Sequence, residues 1–259
     1  MLGTDFTTGS PIWLDLGSPD TAAAAAFYSG VFGWEHTPAG PDGADYGFFQ
    51  LGGKTVAALG ALTEEGADSA WILYFLTPDA DGAAKTTRQR GGRVRAEPFD
   101  LPDGGRIAQL TDPGGAEFAV RQAAGLGGLE KTSEDNTLCW AELHAPDAAA
   151  AVDFYGALFG WRSQDMEAPG MTYRVLSTAE GDQQDTSFGG VAALQDGGEK
   201  ARWIPYFAVA DADETVARAQ GSGGSVLMPA ADVPDVGRIA WLADPFGAAF
   251  AVLKPAPGM

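Results

Sequence analysis

The chain is written twice, and nothing else in its 259 residues limits the fold so tightly. The stretch PIWLDLGSPDTAAAAAFYSGVFGW, Pro11 to Trp34, returns as LCWAELHAPDAAAAVDFYGALFGW, Leu138 to Trp161, at a constant offset of 127 residues that Tyr46 and Tyr173 also keep. Further on, WILYFLTPDADGAAKTTRQRGGRV and GRIAQLTDPGGAEFAV recur as WIPYFAVADADETVARAQGSGGSV and GRIAWLADPFGAAFAV at an offset of 132. One loop insertion of about five residues, in the Glu180 to Ser187 region, accounts for the change. A repeat of this kind means one supersecondary design used more than once.

Within each half the periodicity repeats again. An alternating strand, Ile12 to Leu16, meets a Ser-Pro-Asp cap and an alanine-rich helix that the pattern ends near Gly30; strands follow at Tyr46 to Leu51 and Thr55 to Leu59. The second unit runs from a strand at Ile72 to Leu76, through an Asp79-capped helix to Gly91, into strands near Val94, at Arg106 to Leu110 and at Glu117 to Val120. The predicted fold class is therefore α+β: four βαβββ units forming curved half-barrel sheets with helices outside. Two domains are expected, 1–126 and 138–259, joined by a linker at 127–137 inside the glycine- and charge-rich stretch Ala123 to Thr137.

Charge and cysteine content narrow the partners. The 35 acidic against 16 basic side chains leave a formal charge of -19, which repels phosphate backbones and anionic lipid, so neither nucleic acid nor membrane is an expected partner. The same charge is either plain solubility or a field that attracts cationic small molecules. With Cys139 as the single cysteine no internal disulfide forms, and the N-terminal residues show no basic stretch leading into an apolar one; a cytoplasmic protein is expected.

The order of strand, Pro-Asp, helix ending F-Y-x-x-x-F-G-W, Gly-Gly after the second helix and D-P-x-G before the last strand resembles the vicinal oxygen chelate superfamily. That superfamily includes glyoxalase I, extradiol dioxygenases and bleomycin-resistance binding proteins. The resemblance covers essentially the whole chain, twice. It implies metal ligands on the first strand, on the strand opening the second unit and on the last strand. Those positions fall here on Trp13 and Trp140, near Leu73 and Pro205, and on Ala119 and Ala251, none of which coordinates a metal. No metal and no cofactor are expected. The two histidines, His36 after the F-G-W-E turn and His144 at the end of a strand, are read as loop or surface residues; Glu117 shares the strand parity of Ala119, two residues on, and leaves an all-carboxylate site as the less favoured alternative.

Strand alternation puts Asp15 on the face of Trp13 and Glu142 on the face of Trp140, an indole and a carboxylate in each half where the resemblance places metal chemistry. Tyr46, Phe48, Tyr173, Gln109, Trp241, Trp71 and Trp203 complete the candidate ligand-binding set, with Trp71 and Trp203 open to a core role instead. Trp34, Trp161, Phe27, Tyr28, Phe154 and Tyr155 read as core. Arg106 and Arg238 either hold a ligand carboxylate or pair with surface acids, and Asp112-Pro113 and Asp244-Pro245 read as turn chemistry. Two functions remain open: metal-independent binding of a planar aromatic or cationic natural product, as a drug-binding or biosynthetic accessory protein, or a cofactor-free isomerase, cyclase, hydrolase or epimerase with Asp15 or Glu142 as general base. Internal duplication favours a monomer.

Overall fold

The structure, a computed structural model, describes residues 2–40, 46–62, 66–102, 104–123, 127–168, 171–194 and 200–257. The first βαβββ unit is β1 (Pro11–Ser18), α1 (Thr21–Phe32), β2 (Glu35–Pro38), β3 (Tyr46–Leu51) and β4 (Lys54–Ala61). The second is β5 (Ala70–Leu76), α2 (Ala80–Gln89), β6 (Arg93–Asp100), β7 (Arg106–Thr111) and β8 (Glu117–Gln122). The third is β9 (Leu138–Ala145), α3 (Ala148–Phe159), β10 (Arg162–Ala168), β11 (Met171–Ser177) and β12 (Ser187–Ala193). The fourth is β13 (Arg202–Ala208), α4 (Ala212–Gly221), β14 (Ser225–Val233), β15 (Gly237–Ala243) and β16 (Ala249–Pro255).

These strands form two eight-stranded mixed sheets in the orders β2-β3-β4-β1-β5-β8-β7-β6 and β10-β11-β12-β9-β13-β16-β15-β14, so the α+β duplication read from the sequence is the fold. All four helices start the same way. Asp20, Asp79, Asp147 and Asp211 stand at the N-cap in extended conformation, and each carboxylate accepts from backbone N–H groups of the first turn. Two differences from the pattern have a local cause. The helix expected to stop near Gly30 continues to Phe32, because the terminating residue is Gly33, whose φ of 71° closes the last turn as Gly160 does for α3. His36, expected in a loop, lies on β2 opposite Phe49, and burial holds its imidazole below the usual histidine range.

By packing, the chain divides into two compact units that cut across the repeat: Met1–Trp13, Ile72–Gly128 and Trp140–Ile204 form one, and Leu14–Trp71, Leu129–Cys139 and Pro205–Met259 the other. The expected linker, 127–137, supplies residues to both; residues 124–126, at the end of the expected first domain, lie outside the described ones. Leu129 is buried, and Glu130 accepts from Thr55 N at 2.8 Å within its unit.

Each unit is built on a polar knot sunk in an aromatic core. In one, Trp203 Nε1 donates to Tyr155 Oη at 2.9 Å, which donates to Asp112 Oδ2 at 3.1 Å; the other carboxylate oxygen takes Ala116 N at 2.9 Å. The other unit repeats the series: Trp71 Nε1 to Tyr28 Oη at 3.0 Å, Tyr28 Oη to Asp244 Oδ2 at 3.3 Å, and Asp244 Oδ1 from Ala248 N at 2.9 Å. The D-P turn is thus also the anchor for a helix from the other half of the sequence. Around Tyr28 pack Phe27, Phe32, Trp34, Phe49 and Phe250, and around Tyr155 pack Phe118, Phe154, Phe159 and Trp161. Trp34 and Trp161 are core, as expected, their indoles donating to the carbonyls of Asn136 and Gly9.

Desolvation raises the pKa of Asp112 and of Asp244, while the hydrogen bonds they accept pull it back. Tyr28→Phe and Tyr155→Phe leave a buried carboxylate oxygen and an indole N–H without their partner, and each is expected to cost about 2 kcal/mol in chemical denaturation. For Asp244 the folded pKa lies above the unfolded value of 3.8, so its favourable contribution is complete below 3.8 and is lost as pH rises through the folded pKa. Asp244→Asn, which does not titrate, is expected to gain in stability relative to the parent as pH rises from 3.8; unfolding free energies measured against pH check the slope.

Candidate functional site

In the unit that contains Trp140–Ile204, four polar side chains are bonded in series. Trp140 Nε1 donates to Tyr173 Oη at 2.9 Å, Tyr173 Oη donates to Glu142 Oε2 at 2.9 Å, and His144 Nε2 lies 2.7 Å from Glu142 Oε1. Trp140, Glu142 and His144 occupy alternate positions of β9, so they share one face of that strand. Tyr173 stands on β11 and its ring crosses β12 to reach them. That crossing requires a missing side chain: a Cβ on Gly190, the register partner of Glu142, would sit 2.2 Å from Tyr173 Oη. The series grades inward. Trp140 and Tyr173 are half-buried, the Glu142 side chain is 10% exposed and that of His144 5%.

His144 is therefore corrected from a surface reading to a buried partner of Glu142. Sequence reasoning missed it because the alternation that selected Trp140 and Glu142 was not carried one step further along β9. Gly190 was missed as well, although Gly189-Gly190 inside a strand pattern signals a close approach.

The first half keeps part of this arrangement in the other unit. Tyr46 Oη donates to Asp15 Oδ1 at 3.0 Å, and Phe48 stands edge-on to Tyr46 at 5.8 Å between centroids. The position equivalent to His144 is Gly17, where an added Cβ would meet Leu62 Cδ2 at 2.8 Å. Trp13, buried at 7% exposure, has the Arg121 guanidinium 5.4 Å from its ring centroid, a cation–π contact.

The remaining candidates separate cleanly. Trp71 and Trp203 belong to the buried knots, which removes them from the set facing a ligand. Trp241 is half-buried and donates to Tyr206 Oη at 2.8 Å; Gln109 is half-buried beside Ala119. Arg106 binds Asp81 and Asp100, and Arg238 binds Asp213 and Asp232, so both pair with surface acids and are held charged by them. Glu117 pairs with Arg95. Cys139 is buried and its thiol pushed up to about 12, so it is no nucleophile.

The strand register also corrects one of the metal positions that the resemblance implies. Tyr74 pairs with Ala119 and Tyr206 with Ala251, so the side chains sharing their face are tyrosines and not Leu73 and Pro205. Indole, phenol and methyl thus occupy the three positions in each half, a donor set that does not fit zinc, iron or manganese. Among the described residues no three His, Cys, Asp or Glu side chains gather as a metal site.

Residues 11–120 match the model of the Glyoxalase/Bleomycin resistance protein/Dioxygenase superfamily, and residues 140–253 match that of a glyoxalase-like domain. The chain is 38% identical to CFP32 of Mycobacterium tuberculosis, a protein provisionally named a glyoxylase, over 98% of both chains. It is also 38% identical to the anthracycline biosynthesis protein DnrV of Streptomyces peucetius, over 97% of this chain and 95% of that one. Among solved structures it is similar to the Mn(II)-bound glyoxalase of Novosphingobium aromaticivorans, with a TM-score of 0.63, 17% identity and coverage of 97% of this chain and 89% of that one.

Gly190→Ala is expected to push Tyr173 off Glu142 and to destabilise the protein by about 1–3 kcal/mol through overpacking. Thermal melting and the emission of Trp140, which loses its hydrogen-bond acceptor, check it.

Proposed function

Because the chain belongs to the glyoxalase/bleomycin resistance protein/dioxygenase superfamily while holding indole, phenol and methyl at the implied ligand positions, we propose that it binds a planar aromatic or cationic small molecule without a metal. The carrying observation is the tyrosine–carboxylate hydrogen bond present in both halves, Tyr46 to Asp15 at 3.0 Å and Tyr173 to Glu142 at 2.9 Å. Two residues before each carboxylate, on the same face of the strand, stands a tryptophan, Trp13 or Trp140. A carboxylate oriented by a phenol pairs with an amine or accepts from a hydroxyl, and an indole offers a flat apolar surface. The name of DnrV supports a polycyclic ligand and a role in the biosynthesis or sequestration of a natural product. The protein works in the cytoplasm as a monomer, with Trp140, Tyr173 and Glu142 as the principal contacts and Asp15, Tyr46 and Phe48 as those of the first half. A second reading, a cofactor-free enzyme, is favoured by one observation alone: the imidazole behind Glu142.

Titrating protein dialysed against EDTA with an anthracycline, and following absorbance-corrected tryptophan emission, tests the binding. Saturable quenching in the micromolar range is expected, with the same midpoint before and after chelator treatment. Trp140→Ala is expected to weaken binding about tenfold, equal to about 1.4 kcal/mol. A stoichiometric divalent ion whose removal abolishes binding, or no saturable response to planar, cationic and quinone-like compounds alike, ends this reading.

A further inference from the structure

We propose that the second half alone is a proton-transfer site, in which Glu142 is the base, Tyr173 the donor to a developing oxyanion and His144 the residue that positions Glu142. The inference deepens the binding reading and rests on it. Both halves orient a carboxylate with a tyrosine, which binding alone requires. Only one carries an imidazole behind that carboxylate: His144 Nε2 lies 2.7 Å from Glu142 Oε1, whereas the equivalent position of the first half is Gly17, which has no side chain. A carboxylate held at both oxygens by different donors has its free lone pairs aimed in a fixed direction. The order of exposure fits the roles. Tyr173 and Trp140, half-buried, form the outer end where a ligand arrives, Glu142 follows, and the imidazole is at the closed end.

The chemistry this set supports is enolisation of a ketone. Glu142 takes the proton from a carbon beside the carbonyl, and the C–H electron pair becomes the enolate double bond. The carbonyl oxygen takes the charge and receives the Tyr173 hydroxyl hydrogen, which rotates towards it from Oε2. Returning the proton from Glu142 to a conjugated position on the same face isomerises the ligand. Atoms and electrons balance with no oxidant, reductant or co-reactant. The substrate class is an enolisable ketone fused to an aromatic ring.

The probe is 2-tetralone in D2O, with binding read by tryptophan emission and deuterium incorporation by mass spectrometry. The intact protein is expected to bind it and to exchange the benzylic α-hydrogens faster than buffer. Glu142→Gln is expected to lower the saturated rate about 100-fold or more while the binding midpoint moves less than about threefold. His144→Ala is expected to lower the saturated rate about tenfold while the binding midpoint moves less than about threefold, and His144→Gln, which still donates to Glu142, is expected to restore most of the rate, a rescue that a merely space-filling role does not give. His36→Asn is expected to behave as the parent. Because the chain has two histidines, their imidazole NMR signals are assignable from these variants. Those of His144 are expected to respond to tetralone and those of His36 to stay still. Should Glu142→Gln fail to fold by circular dichroism, Glu142→Asp, which withdraws the carboxylate by one methylene, must show the same loss. Exchange at the buffer rate with tetralone bound, or full exchange in the folded Glu142 variant, overturns the proposal. Failure of tetralone and every planar probe to bind removes the binding reading beneath it.

Discussion

The two Trp–Tyr–Asp knots are what the rest of the molecule is arranged around. Each buries a carboxylate, at 3% exposure for Asp244 and 4% for Asp112, and such a group is tolerable only where hydrogen bonds replace lost water. Backbone N–H groups of the D-P turn supply one side of the compensation, and a tyrosine from a helix in the opposite half of the sequence supplies the other. The consequence reaches the whole chain. A helix cannot leave its turn without orphaning three polar groups inside an aromatic cluster, so the compact units combine quarters of the sequence that the repeat keeps apart.

With the helices fixed in this way, the strand faces away from the knots are free to diverge. On these faces the Tyr–carboxylate pair is present in both halves. Beyond it they differ at single positions with large chemical effect: Asp15 against Glu142, Gly17 against His144, Gln109 against Trp241, Arg121 against Leu253. One half gains a cation packed on an indole, the other an imidazole packed behind a carboxylate. The buried knots are common to both halves, and the polar groups on the strand faces are where the halves differ.

Much of this was written in one dimension. Offsets of 127 and 132 residues set the number of units, Pro-Asp and Asp-Pro set caps and turns, and alternation on β1 and β9 selected Trp13, Asp15, Trp140 and Glu142. The short β2 escaped, since four residues with one apolar side chain among them carry no period and gain strand form only by pairing with β3. Trp71 and Trp203 were ambiguous for the same reason: an indole at the start of a strand reads alike whether its N–H meets a ligand or a buried tyrosine.

The sequence by itself determined the α+β class and the fourfold unit, because these follow from local periodicity and residue type. Tertiary structure alone decided that Tyr28 would serve Asp244 and Tyr155 Asp112, that Tyr173 would cross Gly190 to meet Glu142, and that His144 would be buried behind it. These are contacts between residues up to 216 positions apart, or between strands whose register is fixed only when they pair. No local pattern encodes them, since the energy that selects them is the desolvation of groups that meet only in the folded chain.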